Sequence, residues 1–394
     1  MEFTIHHQVL LIAFLVAVVM GAVANKTNFC TMGAVSDWVN MGDKGRLRAW
    51  LLAIAVALIG VMVLEGAGKV ALSSSDTFPP YRTGNFAWLR YVLGGVLFGI
   101  GMTLGSGCGN KTCVRLGGGN LKSLVVLVVL ALSAYAMLWT ELFEKAFMSW
   151  MGSTIVDLSA RGIQSQELGA IVAGVSGGDA AMLHYVIGGL LVLALLVYIF
   201  KSADFRSGFD NILGGLVIGL AVTAGWYVTA GPMGAEWKDY ADMAVEIPSR
   251  VQAQSYTFIS PMGDGVRYAQ SPANFNLINF GIMALAGVIV GSFLYAVVSR
   301  SFRIEWFASV QDFIAHVAGA VLMGVGGVLS MGCTIGQGVT GVSTLALGSI
   351  LTFVAIVFGA ALTMKVQYYL MDEQGIVAAL RSALADLRLM PRKA

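Results

Sequence analysis

Residues 95–116 read GVLFGIGMTLGSGCGNKTCVRL, and residues 320–341 read AVLMGVGGVLSMGCTIGQGVTG. At a constant offset of 225 they share Val96/Val321, Leu97/Leu322, Gly99/Gly324, Gly101/Gly326, Leu104/Leu329, Gly107/Gly332, Cys108/Cys333 and Val114/Val339, without a gap. Each runs from a glycine-rich apolar helix pattern into a Gly-Cys step, so a structural unit is repeated. A fainter match relates GAVANKTNFCTMG (21–33) to GLAVTAGWYVTAG (219–231) and sets Cys30 opposite Val228. The two matches together predict two halves, 1–203 and 204–370.

Outward from the repeat the chain is apolar. Of its 394 residues 57% are hydrophobic and 12% charged, where soluble domains are about 25% charged. The mean hydropathy is +0.78. The formal net charge of +2 offers no field for a polyanion, so no nucleic-acid partner is expected. About nine runs are long enough to cross a hydrocarbon core: near 8–25, 48–66, 87–105, 120–140, 182–200, 210–227, 275–299, 312–330 and 344–366. The first lacks a basic leading region and a clear cleavage site, so it reads as a span and not a leader. The expected fold is an all-α polytopic membrane protein in contact with membrane lipid.

With the N-terminus outside, the inner segments hold 16 Lys and Arg and the outer ones 8, mostly in the polar loops near 67–86, 141–180 and 228–273. The C-terminus is then cytoplasmic, and 371–394 reads as an amphipathic tail on that face. In this topology 95–116 follows a span entering from outside and 320–341 one entering from inside. The repeats are therefore inverted, a transporter design with the substrate site at the midplane.

Three glycine-rich or polar stretches, 28–39, 106–117 and 332–342, follow spans directly. They are too short to cross and read as re-entrant half-helices, with tight extramembrane turns as the alternative. Cys30, Cys108 and Cys333 fall one in each. A lone buried cysteine is ordinary filler; three at three helix breaks, two of them repeat-related, point to a path. Cys113 has Gly338 as its repeat partner and reads as filler. A Cys of ordinary pKa, about 8.5, is a neutral thiol at pH 7, a weak donor with a soft surface. Thiols in series offer weak, leavable contacts to a soft, polarizable ligand, while half-helix N-termini favour negative charge. Asn28, Lys111 and Gln337 are secondary candidates for lining the path.

These motifs, Asn-Phe-Cys-Thr-Met-Gly-Ala after the first span and the two Gly-Cys stretches, resemble the YeeE/YedE family of bacterial inner-membrane sulfur-compound transporters. The resemblance spans about 1–366. It implies inverted repeats with short membrane-inserted helices, import of thiosulfate, and substrate contact by Cys30, Cys108 and Cys333. It also implies a small cytoplasmic sulfur-carrier protein of the TusA type, with a reactive cysteine, as partner. The long 228–273 loop and the C-terminal extension depart from the pattern, which leaves other sulfur or selenium species open as substrates.

Other signals fail. Gly-Ser-Gly-Cys-Gly-Asn-Lys-Thr (105–112) misses a phosphate-binding loop, because Asn110 stands where glycine is required. The four histidines, at 6, 7, 184 and 316, have no metal-ligand spacing. No metal, cofactor or catalytic residue is expected. Asp37 and Glu65, at the ends of membrane segments, are expected to pair with nearby Lys or Arg. A membrane thiol oxidoreductase is the alternative from another class, although there is no Cys-x-x-Cys.

Overall fold

The computed structural model describes residues 4–72, 80–373 and 375–390. Parts of the loop expected at 67–86 and of the tail expected at 371–394 lie outside the described residues. The first apolar runs form helices α1 (Ile5–Lys26), α2 (Thr31–Ser36), α3 (Gly45–Gly66), α4 (Trp88–Leu104), α5 (Gly109–Gly117) and α6 (Leu121–Trp139). Short α7 (Ser149–Met151) and α8 (Leu168–Ser176) lead to α9 (Ala180–Phe200) and α10 (Ala203–Ser207). Then come α11 (Phe209–Ala230), α12 (Pro232–Met243), α13 (Ser260–Gln270), α14 (Phe280–Val298) and α15 (Val310–Leu329). A π-helix at Thr334–Gly341, α16 (Leu347–Met371) and α17 (Ile376–Asp386) close the chain. Among the described residues nine helical runs are long and apolar enough to cross a membrane, and the one sheet is the two-residue pairing of β1 (Asn85–Phe86) with β2 (Val156–Asp157). The protein is an all-α polytopic membrane protein.

The long helices begin where short polar side chains satisfy their first amides. Asn120, Asp179, Asn279 and Ser309 accept from the backbone N–H of Ser123, Ala181, Ile282 and Asp312.

Glycine sets how α4 and α15 meet. A Cβ on Gly94 would lie 2.7 Å from the Gly326 oxygen, and one on Gly101 2.6 Å from the Gly319 oxygen. The partners descend as the residue numbers rise, so the helices cross antiparallel. Under the offset of 225, Gly94 becomes Gly319 and Gly326 becomes Gly101: the two contacts are one contact seen twice. The rest of the packing exchanges in the same way. The α1–α14 pair matches α11–α3, α4–α16 matches α15–α6, and α2–α16 matches α13–α6.

This pattern corrects the fainter sequence match. Val228 lies inside α11, which continues to Ala230, so no break stands opposite Cys30 there. The counterpart of α2 is α13. Thr27, Met32 and Gly33 correspond to Thr257, Met262 and Gly263, with Ser260 in the place of Cys30. Helix α12 is inserted between the two, and an ungapped comparison cannot see past it.

A second correction concerns the loop expected outside at 228–273. Its stretch 251–259 runs as irregular, non-helical backbone through the protein interior, with Gln254, Ser255, Tyr256, Phe258 and Ile259 buried. Non-helical backbone at that depth needs protein partners, and side chains supply them. Tyr256 Oη donates to the Ala13 oxygen at 3.0 Å, and Ser255 Oγ to the Val222 oxygen at 2.7 Å. Thr340 Oγ1 donates to the Tyr256 oxygen at 2.7 Å, and Thr229 Oγ1 accepts from the Gln254 N–H at 2.9 Å.

Ion pairs respect the two faces assigned from charge. Arg46–Asp37, Lys122–Asp312 and Lys365–Asp386 lie within one set of segment ends; Arg82–Glu65 and Arg250–Asp264 lie within the other. Asp37 and Glu65 thus have the partners expected of them. Glu65 also meets His184, whose other ring nitrogen is 3.1 Å from Glu167. Burial opposes the charge on Glu167, yet the His184 ring and the Gly169 and Ala170 amides hold its carboxyl below the usual range. The amphipathic α17 docks on α16 through Ala379 and Ala383, and Tyr369 Oη donates to Asp386 at 2.7 Å.

Candidate functional site

Each of the three half-helix stretches is a break followed by a short helix, and each cysteine is the residue that caps that helix. Cys30 precedes α2, Cys108 precedes α5, and Cys333 precedes the π-helix, all with extended backbone. Cys30 Sγ accepts from the Gly33 N–H and Cys333 Sγ from the Gly336 N–H, both at 3.4 Å; Cys108 makes no such bond. The first amides of a helix have no intrahelical acceptor, and a thiol is a weak one. Positive helix ends therefore face the same region as three soft sulfurs. All three cysteines are buried and free. Cys108 lies within electrostatic range of both Cys30 and Cys333, so the fold brings the three together. Cys113, inside α5, is fully buried among apolar side chains, as filler would be.

The secondary candidates join this region. Lys111, 9% exposed, donates from Nζ to Asn28 Oδ1 at 2.5 Å, linking the α5 half-helix to the residue two before Cys30. Asn28 has φ +50, a left-handed conformation that Asn tolerates and that lets the chain turn out of α1. Gln337 is buried; its Nε2 donates to the Ser330 oxygen at 2.6 Å while its Oε1 has no partner.

Residues that the sequence reading passed over complete the site. Thr31, Asn110, Thr257 and Thr334 each hold a buried side-chain oxygen with no hydrogen-bond partner in its proper geometry. Thr31 and Thr334 directly follow the capping Cys30 and Cys333, and Asn110 stands two residues after Cys108. Thr257 comes from the interior stretch 251–259 and packs against Gly336. Buried polar atoms are normally satisfied, and their gathering around the cysteines marks a place made for something polar. Thr257 had a legible signal in the Thr-x-x-x-x-Met-Gly pattern that 257–263 shares with 27–33.

Aromatic side chains wall one flank. Phe29 stacks on Trp50 with centroids 4.7 Å apart, and Trp50 on Phe353 at 6.0 Å. Phe353 in turn fills the space beside Gly338 of the π-helix. On the face assigned to the cytoplasm a cavity of about 220 Å³ opens beside α5, lined by Asn25, Lys111, Arg115, Asn120, Arg303 and Glu305. Arg115 donates to the Ser106 oxygen at 2.7 Å and Asn120 to the Glu305 carboxylate at 2.5 Å; Lys111, Arg115 and Arg303 outnumber that one acidic group, so the lining is net basic. Among the described residues no group of His, Cys, Asp and Glu has metal-site geometry.

The chain is 26% identical over 338 residues to the thiosulfate transporter TsuA of Escherichia coli (strain K12), covering 81% of this chain and 83% of that protein. It is 23% identical over 350 residues to the thiosulfate transporter TsuA of Spirochaeta thermophila, covering 88% and 95%. The profile of the family described as Sulphur transport matches residues 26–362. Apolar spans, repeated Gly-Cys units and this match lead to one assignment: the chain belongs to the sulphur transport family, the YeeE/YedE family that its cysteine motifs resemble.

Proposed function

We propose that this transporter imports thiosulfate, or a closely related soft sulfur anion, across the bacterial inner membrane. The single observation that carries the reading is the placing of Cys30, Cys108 and Cys333 at the starts of three short helices that converge. The names of the two relatives point to the same substrate. Thiosulfate is a dianion with one polarizable terminal sulfur. Helix-end amides meet its charge, and thiols meet that sulfur without holding it. The N-terminus lies outside and the C-terminus inside. Halves 1–203 and 204–370 form inverted repeats around the path, and 371–394 is a cytoplasmic tail.

In this reading Lys111 and Asn28 sit where the path leaves Cys30 and Cys108 for the cationic cavity, and Gln337 lines the opposite half. A cytoplasmic sulfur carrier of the TusA type receives the product. The oxidoreductase alternative has no supporting observation: the four cysteines are free and buried. Uptake of labelled thiosulfate by the purified protein in liposomes tests the proposal. Uptake above empty liposomes is the expected result; none would refute it.

A further inference from the structure

We propose that Thr257 and Thr334 contact the substrate. Each hydroxyl forms, with a neighbouring cysteine thiol, a two-point site for an anion that is soft sulfur at one end and oxygen at the other. This deepens the thiosulfate reading and rests on it.

The helical threonines Thr112, Thr229 and Thr363 return their hydroxyls to the carbonyl four residues back. Thr334 opens its helix and Thr257 lies in non-helical chain, so neither has a preceding helical turn to bond. Thr334 is fully buried, and the buried hydroxyl oxygens of both have no hydrogen-bond partner in proper geometry, only a cysteine sulfur close by. An unpaired buried hydroxyl is costly, and its retention calls for a reason.

Their neighbours supply one. Thr334 begins the Cys333 half-helix, yet its hydroxyl lies beside the thiol of Cys108. Thr257 comes from the interior stretch, and its hydroxyl lies beside the thiol of Cys333. Neither is aligned for a bond to that sulfur. In both cases the fold, not the local sequence, makes the pair. A hydroxyl is a good donor to a charged oxygen, and a thiol is a soft, weak one. Sulfate offers oxygen only, and hydrosulfide sulfur only. An anion with both ends satisfies both members, which makes these threonines specificity determinants that cysteines alone would not provide.

The test uses the full-length protein, in liposomes for labelled-thiosulfate uptake and in detergent for thermal unfolding. Thr257→Val and Thr334→Val replace the hydroxyl by a methyl of similar shape, Thr→Ser keeps it, and Thr→Ala serves where a Val variant does not fold. The Val variants are expected to raise KM for thiosulfate about tenfold or more. The Ser variants should stay within about threefold of wild type, since the donor survives. The Val variants should melt at or above the wild-type temperature, because an unpaired donor has been removed. Wild-type KM in both hydroxyl-free sets overturns the proposal, and so does a lowered melting temperature with unchanged KM. Absence of uptake by wild type would instead sink the thiosulfate reading, and this proposal with it.

Discussion

A cysteine is a poor helix cap, and that weakness separates stability from transport at the scale of one residue. Cys30 and Cys333 accept from Gly33 and Gly336 at a long 3.4 Å. A serine oxygen caps better, by a margin on the order of 1 kcal/mol. Cys30→Ser and Cys333→Ser should therefore melt no lower than wild type, yet take up far less thiosulfate, because a hard hydrated hydroxyl replaces a soft thiol. Alanine at Cys30, Cys108 or Cys333 should cost only about 1 kcal/mol of stability and likewise abolish most uptake. Cys113→Ala should transport normally. Uptake by all four Ala variants at matched membrane expression checks this, and normal uptake in the three path variants would return the cysteines to filler. The helix-start positions of Cys108 and Cys333 were legible because a Gly-Cys step recurs at a constant offset, and that of Cys30 because a short polar stretch follows the first span. Thr334 was not, because a threonine has no composition signal and its thiol neighbour comes from another segment; Thr257 showed only in the Thr-x-x-x-x-Met-Gly pattern shared by 27–33 and 257–263.

Helix contacts carry the next prediction. Gly94 and Gly101 of α4 face Gly326 and Gly319 of α15 at distances that leave no room for a Cβ. Gly101→Val or Gly319→Val should cost about 1–3 kcal/mol or more by overpacking, read as lower folded yield and melting temperature in detergent. Gly189→Ala, on a surface of α9 with nothing within 4 Å, should be neutral or mildly stabilising. Equal losses at the two kinds of site would mean that the crossing does not depend on close approach. The spans were readable from hydropathy to within a few residues, and so were the three breaks, because hydrocarbon thickness fixes span length. The interior course of 251–259 was not. Its polar flanks imitate an outer loop, and its bonds go to Thr229 and Thr340, far off in sequence.

At the scale of the whole molecule the two halves are alike in packing and unlike in chemistry. The α2 position carries Cys30 and the matching α13 position carries Ser260. In the proposed reading the three thiols line the path and make it discriminate between sulfur-bearing and all-oxygen anions. Sulfate should compete poorly against labelled thiosulfate; equal competition would show that the sulfurs do not read the substrate. The proposed sidedness has its own check. A fluorescent protein that matures only in the cytoplasm should glow when fused after Ala394, and an alkaline phosphatase active only outside should stay silent there. The reverse pattern would invert the molecule and with it the role of the cation-lined cavity.

The non-helical stretch 251–259 also bears on how the protein is made. A ribosome-bound insertion machine accepts helices, and this stretch has no internal backbone–backbone hydrogen bonds with which to enter lipid. In the proposed sidedness it is translocated with the hydrophilic chain around it while its bonding partners are still incomplete: Thr340, whose hydroxyl donates to the Tyr256 carbonyl, is synthesised some eighty residues later. Maturation must therefore end with a swallowing step, in which an already translocated strap folds back between α1, α11 and the last half-helix. Until that happens the newborn transporter is a threaded but unsealed shell. Quality-control proteases should find Tyr256 and Phe258 exposed in that shell and hidden in the finished one.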